Sequence, residues 1–287
     1  MNRKLTLGVA AASLALFVSA CSSTAEPVNS DTSNKASDSD LTLEEVFAKS
    51  VEAGEEITSV NVDMSVDQNT VIPGEDTSIK TSSDVEMEMV VEPLGLHQKA
   101  VTSAEGLTEG EEPITVESYL TEEGFFMYDF MEDQWMKLPA DMSDQIIEMS
   151  KTQGNPNEQL KSLEQFTDDF TFEQDESSYI LTLNASGEKF REFLIEQTEN
   201  MMPEMGLGSE MEEVFQDTSF EDVIYEIVID KETFLPSQLE TSLIMTMDVE
   251  GESLQLEQNT ESTYKEYNTI DSIEVPDEVI ENAVESP

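Results

Sequence analysis

Apolar and polar residues alternate with a period of two along most of this chain. Val60, Val62, Met64 and Val66 alternate with Asn61, Asp63, Ser65 and Asp67, and beyond a Pro73-Gly74 turn Val85, Met87, Met89 and Val91 alternate with Asp84, Glu86 and Glu88. One apolar and one polar face per segment predicts antiparallel strands, packed on one side and wet on the other. Pro93-Leu94-Gly95 then turns into a predicted strand at 96–103, and an acidic loop over 105–113 leads to a strand at 114–120. Glu122-Glu123-Gly124 makes a hairpin turn into 125–130, and residues 131–134 turn again into 135–138. Shorter strands are predicted at 170–174 and 179–184. Tyr225, Ile227 and Ile229 share a face before a turn at 230–233. Leu239, Thr241, Leu243, Met245, Met247 and Val249 share the next, and after Glu250-Gly251-Glu252 a long strand runs over 253–264.

Helical spacing is confined to a few stretches. Thr42 and Glu45 form a capping box, Leu41 and Val46 a hydrophobic staple, and Leu43, Val46, Phe47 and Val51 recur on one stripe, which predicts a helix over 42–57. Short amphipathic helices are predicted over 139–150 and 156–166. A longer one, over 187–205, carries Phe190, Phe193, Leu194, Gln197 and Met201 on one face, and residues 211–215 suit a further turn of helix. Strands of about ten residues or more exceed the usual five or six, so they twist and curl. Their shared apolar face needs a roof, and these helices are the elements able to supply it. The predicted fold class is α+β: a strongly curved antiparallel sheet, an unclosed half-barrel, wrapping a few helices on its concave face.

The first forty residues follow neither period. Arg3 and Lys4 precede an apolar run over 5–18, and Val18-Ser19-Ala20-Cys21 follows, which reads as a secretory signal peptide. The run is shorter than the ~20 residues that span a bilayer, which argues against a transmembrane helix. Residues 22–40 are rich in Ser, Asp and Asn with no apolar period, and predict a flexible tether. Val18-Ser19-Ala20-Cys21 resembles the lipobox of bacterial lipoproteins. That resemblance implies cleavage before Cys21 and a diacylglyceryl group on its thiol. Two or more acyl chains anchor durably where one does not, so the implied location is the outer leaflet of the cell membrane, on its extracytoplasmic face. The organisation expected is a signal peptide over 1–20, a tether over 21–40 with lipidated Cys21, and a single domain over 41–287.

Composition narrows the partners. The chain has 64 Asp and Glu against 13 Lys and Arg, a net charge of −51. Loss of Arg3 and Lys4 with the signal leaves 11 basic residues, hence −53. Such a surface repels itself in dilute buffer, is screened by salt, and makes nucleic acid and anionic headgroups poor partners. It suits a saline or alkaline medium. At 38% apolar residues the chain is nevertheless outside the range of disordered composition.

Little of the usual catalytic inventory is present. With Cys21 lipidated no thiol remains for a disulfide, a nucleophile or a metal. His97 is the sole histidine, too few for a common zinc set, and a Ser-His-Asp triad would rest on it alone. Acid pairs such as Glu122-Glu123, Asp168-Asp169 and Glu212-Glu213 are expected by chance among so many carboxylates, whereas a glycosidase needs two in one cleft. Neither a phosphate loop nor a calcium loop occurs. The expectation is a protein that is not an enzyme and uses no cofactor and no metal.

Three stretches carry a family resemblance: SYLTEEGFFMYDFMEDQWMKLP over 118–139, YEIVIDKETFLPSQLE over 225–240, and TYKEYNTIDSIEVPDEVIENA over 263–283. Together with the lipobox and the helix after Leu41, they resemble uncharacterised Gram-positive lipoproteins of the DUF6612 type, which in turn look like the LolA, LppX and LprG group. The matched features are strands and turns and are not catalytic. The resemblance implies an unclosed antiparallel barrel with helices in its mouth, whose concave apolar face holds lipid or acyl chains. Met64, Met87, Met89, Met245 and Met247 on the strands, with Phe190, Phe193 and Met201 on the helix, are the candidates for lining such a hollow. Methionine adapts to varied apolar partners, and the same side chains also suit a plain core. Two readings stay open. One is a lipid-anchored, monomeric binding module for a lipid or other hydrophobic ligand; the other is a surface interaction or envelope-sensing lipoprotein with a packed core and a protein partner.

Overall fold

A computed structural model describes residues 25–27, 39–71, 78–105, 112–140, 142–143, 146–147, 160–185, 187–201, 218–249 and 252–285. In it the alternating stretches become one sheet. Its first meander runs β2 (Ser59–Val71), β3 (Ser78–Val90), β4 (Gly95–Glu105), β5 (Ile114–Thr121), β6 (Gly124–Asp129) and β7 (Gln134–Lys137). The second runs β8 (Phe170–Gln174), β9 (Ser178–Asn184), β10 (Thr218–Asp230), β11 (Pro236–Val249) and β12 (Glu252–Lys265). Pairing of β12 with β2 from Lys265↔Asn61 to Gln255↔Val71 joins them. Two short strands, β1 (Glu26–Pro27) and β13 (Val284–Glu285), pair in parallel with β8 and β7 and cover the outer edges. The sheet is therefore open, with the order β1-β8-β9-β10-β11-β12-β2-β3-β4-β5-β6-β7-β13, and the predicted α+β half-barrel is the observed class.

Helix α1 (Leu43–Gly54) begins as its sequence dictates. The Thr42 hydroxyl accepts from the Glu45 amide at 3.2 Å, and the Glu45 carboxylate accepts from the Thr42 amide at 3.0 Å. The next turn delivers Val46 and Phe47 to the main core, beside Leu43. There they meet Leu160, Leu163 and Phe166 around a 3-10 turn (Glu164–Asp169), and Phe190 and Phe193 of α2 (Glu188–Met201). Leu181, Leu183, Val223, Ile227 and Ile229 supply the sheet side of this core. The helices thus roof the β8–β11 half of the sheet, and the face they touch is called the inner face below. Much of the predicted 139–166 region, and the turn at 211–215, lie outside the described residues.

Three features depart from the sequence reading. First, β10 begins at Thr218 instead of near Tyr225. Asp222 takes a positive φ of 48° within a break in register between Glu221 and Ile224, and this bulge hides the strand's early alternation. Second, part of the predicted tether belongs to the sheet: Glu26 and Pro27 pair with Glu173 and Gln174, and Ala25 is buried in the main core. A short run without period can still supply one edge pairing and one small core residue. Third, the chain end covers the outer face. Val275 and Val279 of the segment leading into and through α3 (Asp277–Asn282) bury Tyr119 and Phe126 of β5 and β6, with Ile273, Trp135 and Ala283 packed around them. Ile273 presses so closely on Gly95 that a Cβ there would lie 2.9 Å from the Ile273 Cβ.

Candidate functional site

Register decides which residues share the inner face beyond the helices. Val62 pairs with Met87, which pairs with Gln98; Met64 pairs with Val85, which pairs with Ala100; Val66 pairs with Ser83, which pairs with Thr102. Across β12, Ser262 meets Met64 and Thr260 meets Val66, while on β11 Leu239 meets Ser262 and Met245 meets Leu256. Alternate positions 60–70, 79–89, 96–104, 114–120, 239–247 and 254–264 make up this face, and none carries a charged side chain. In a chain with 64 carboxylates that is a strong segregation. The intervening outer positions hold Asp63, Asp67, Asp84, Glu86, Glu88, Lys99, Glu117, Glu257 and Glu261.

The inner face changes character along the strands. Near one rim Val60, Val62, Met89 and Tyr264 form a small closed cluster. Farther along, Met64, Val66, Val85, Met87, Ala100, Leu243, Met245 and Met247 are half-buried. Among them lie uncharged polar groups that mostly satisfy one another. The Ser83 and Thr102 hydroxyls are 2.8 Å apart, Gln68 Nε2 donates to Thr70 Oγ1 at 3.3 Å, and Gln258 Nε2 donates to Thr260 Oγ1 at 3.3 Å. Such a surface can receive apolar chains and hydrogen-bond a neutral polar group. It offers no fixed charge to pair with an ionic one, and an ion brought there without a partner would be costly to desolvate.

The eight candidate lining residues divide by position. Phe190 and Phe193 are buried in the main core, with Phe193 edge-on to Phe166 at 5.3 Å, and Met89 is buried in the rim cluster. Met64, Met87, Met245 and Met247 are half-buried on the inner face, Met245 packed against the main core and Met87 against the rim cluster. The Met201 side chain lies outside the described residues, as does Cys21. Sequence reasoning passed over the polar members Gln68, Thr81, Ser83, Gln98, Thr102 and Thr260. Their signal was present in the alternation itself, because polar residues in phase with Met and Val are uncharged while every charged residue of these stretches falls out of phase.

His97 points to the outer face. It stacks on Tyr119 with ring centroids 4.4 Å apart, and its two ring nitrogens lie 3.1 Å from Glu88 Oε2 and 3.0 Å from Glu117 Oε1. The Tyr119 hydroxyl donates to the same Glu117 oxygen at 3.0 Å. Burial, then the hydrogen bond and negative charge of Glu117, push the Tyr119 phenol up to about 12, and burial alone lifts Tyr264 to about 12. Both hold their protons more tightly folded than unfolded, where a phenol ionises near 10. Their contribution is complete below pH 10 and is lost as pH rises toward 12. We therefore expect the unfolding free energy to fall above pH 10, by about 1.4 kcal/mol per pH unit for the buried Tyr264, read from urea titrations at each pH. Tyr264→Phe should remove its share of that fall and leave the share of Tyr225 and Tyr267, whose phenols burial also raises.

Neither of two cavities lined by described residues touches the candidate Met and Phe positions. One, of about 420 Å³, is a polar depression around Asn69, Lys80, Glu105 and Glu257 at the far ends of β2–β4 and β12. The other, of about 340 Å³, lies between the Pro93-Leu94-Gly95 turn, Glu122-Glu123 and the segment 272–280. Among the described residues no three His, Cys, Asp or Glu side chains are grouped to hold a metal ion.

Residues 42–284 match a family described as "Family of unknown function (DUF6612)". None of the curated proteins matches the chain. Solved structures similar to it include a DUF1329 family protein from Desulfovibrio piger, at 8% identity and a TM-score of 0.24, covering 79% of this chain and 93% of that one. The S-type phycobiliprotein lyase of Guillardia theta is similar at 8% identity and a TM-score of 0.20, covering 79% and 94%. A beta-barrel-like protein of domain of unknown function DUF1849 from Brucella abortus is similar at 8% identity and 0.22, covering 73% and 99%.

Proposed function

The chain belongs to DUF6612, a family of unknown function, and from that premise we propose that it is a membrane-anchored, extracytoplasmic, non-catalytic binding module. Its ligand is an uncharged hydrophobic or amphiphilic molecule, a neutral lipid being the simplest case, held on the inner face of the curved sheet. The observation that carries this reading is the half-buried, charge-free inner face of β2–β5, β11 and β12 in an otherwise acidic chain. If that face only met solvent, nothing would keep carboxylates off it. Its exclusion of charge is what an apolar occupant requires. The anchor rests on the lipobox at Cys21. The non-catalytic reading is supported by His97, whose ring nitrogens both face carboxylates on the outer side, away from the inner face.

Native mass spectrometry tests the proposal. The chain from Ser22 onward, which retains β1, is purified without detergent from a membrane-containing host and held in high salt. A stoichiometric adduct in the lipid mass range is expected, with a neutral acyl glycerol probe re-bound after delipidation. A clean apo mass with no uptake would reject the module. The runner-up, an interaction or sensing protein, draws on one feature a carrier does not need: Phe130 and Met131, at the β6–β7 turn, are 47% and 82% exposed.

A further inference from the structure

The N-terminal segment is held to the sheet by a buried amide. Gln174, at the end of β8, is 3% exposed. Its Oε1 accepts from the Ser39 amide at 3.0 Å and from Lys231 Nζ at 2.9 Å. Its Nε2 donates to the carbonyls of Ala25 and Ser39, each at 3.3 Å. One side chain thus grips both ends of the stretch between residues 25 and 39, where Ala25 enters the main core and Glu26 and Pro27 extend the sheet. Lifting the segment away exchanges these bonds for water and takes Ala25 out of the core, so Gln174 favours the docked segment over a free one.

Docking changes the reach of the chain. From Cys21 to Leu41 a free tether could extend about 70 Å, whereas the steps from Cys21 to Ala25 extend at most about 14 Å. We infer that the Gln174 latch sets the β1–β8 edge, and the helix-roofed half of the sheet beside it, directly against the lipid surface, with the β2–β5 half held farther out. This inference rests on the reading that Cys21 bears the anchor. The latch also works against electrostatics, since a domain this acidic is repelled by anionic headgroups and would stand off on a loose tether at low salt.

The test uses the mature acylated chain in phosphatidylcholine vesicles containing an acceptor-labelled lipid. A donor dye is placed on Glu176→Cys, in the turn after β8, or on Glu122→Cys, in the β5–β6 turn. Energy transfer from position 176 is expected to exceed that from 122, and Gln174→Leu should remove the difference. Ser39→Pro, which deletes one donor to Gln174 without touching the sheet, should act in the same direction. Equal transfer from both positions in the otherwise native chain, or no response to either latch variant, would overturn the inference. Hydrogen exchange on the unlipidated Cys21→Ser chain separates the two premises. Slow exchange of the Ser39 amide that Gln174→Leu accelerates is expected, and fast exchange in the parent removes the latch whatever the anchor. If the mass of the native chain shows no acyl group on Cys21, the anchor reading fails and the membrane placement falls with it, although slow exchange would still hold.

Discussion

Met87→Glu is expected to weaken capture of a neutral acyl probe by at least about tenfold while leaving the fold intact. Met87 is half-buried on the inner face at the margin of the rim cluster, with Val62 and Gln98 beside it in register. A carboxylate there keeps contact with water in the free protein, so the free state suffers little. Binding would cover it with apolar chain, and the described inner-face positions carry no cation, so the desolvation penalty falls on the complex. A loss of 1.4 kcal/mol is already about a tenfold change, and burial of an unpaired charge exceeds that. Ser103→Glu is the matched control, since it adds the same charge to an exposed outer position of β4. The readout is uptake by native mass spectrometry or by a fluorescent acyl probe, with circular dichroism verifying the fold. Equal uptake by the two variants would mean that the inner face is not where the ligand sits. Met89 is unsuitable for this test, because at 2% exposure its replacement would report on the rim cluster instead.

Phe126→Ala is the substitution expected to cost the most stability. Its ring is fully buried on the outer face, against Tyr119, Val275 and Val279, with Lys137 Nζ 5.0 Å above the ring centroid. Truncating a buried phenylalanine costs about 3–5 kcal/mol, and for a domain of this size each kcal/mol moves Tm by about 2–4 °C. The loss should also be local in character. Without Phe126 the segment from Ile273 through α3 keeps little to cover, so its amides should exchange faster than those of β10 and β11. Phe130→Ala, five-tenths exposed at the nearby turn, is the comparison and should change stability by less than about 0.5 kcal/mol. If the two substitutions cost the same, the outer cluster is not a core.

The alternation that predicts β2–β5 and β11–β12 is legible because each of these strands keeps one face apolar or uncharged throughout. Where that regularity is interrupted the reading falters. The bulge at Asp222 shifts the phase of β10, so Phe220 and Ile227 lie on one face although their spacing is odd. Phe125 and Phe126 are adjacent, and pattern alone does not say that one faces inward beside Leu120 while the other faces outward onto the C-terminal segment. Gln174 shows a third limit. As a polar residue at a strand end it reads as surface, and only the approach of residues 25 and 39, 149 and 135 positions away in sequence, makes it a buried clamp.

By itself the sequence determines the strands, the capped first helix, the acidic surface and the segregation of charge from one strand face, because all of these are set by side-chain periodicity and composition within a few neighbours. It also carries the Cys21 motif, which is local by nature. Tertiary structure alone decides that β12 joins β2 and unites two meanders, that the described helices roof the β8–β11 half, that β1 and β13 cover the two sheet edges, and that the inner methionines divide between fully and partly buried positions. These outcomes depend on contacts between residues far apart in the chain, where burial comes from whichever distant element arrives. A periodic pattern says which face is apolar, and the three-dimensional fold says what, if anything, covers it.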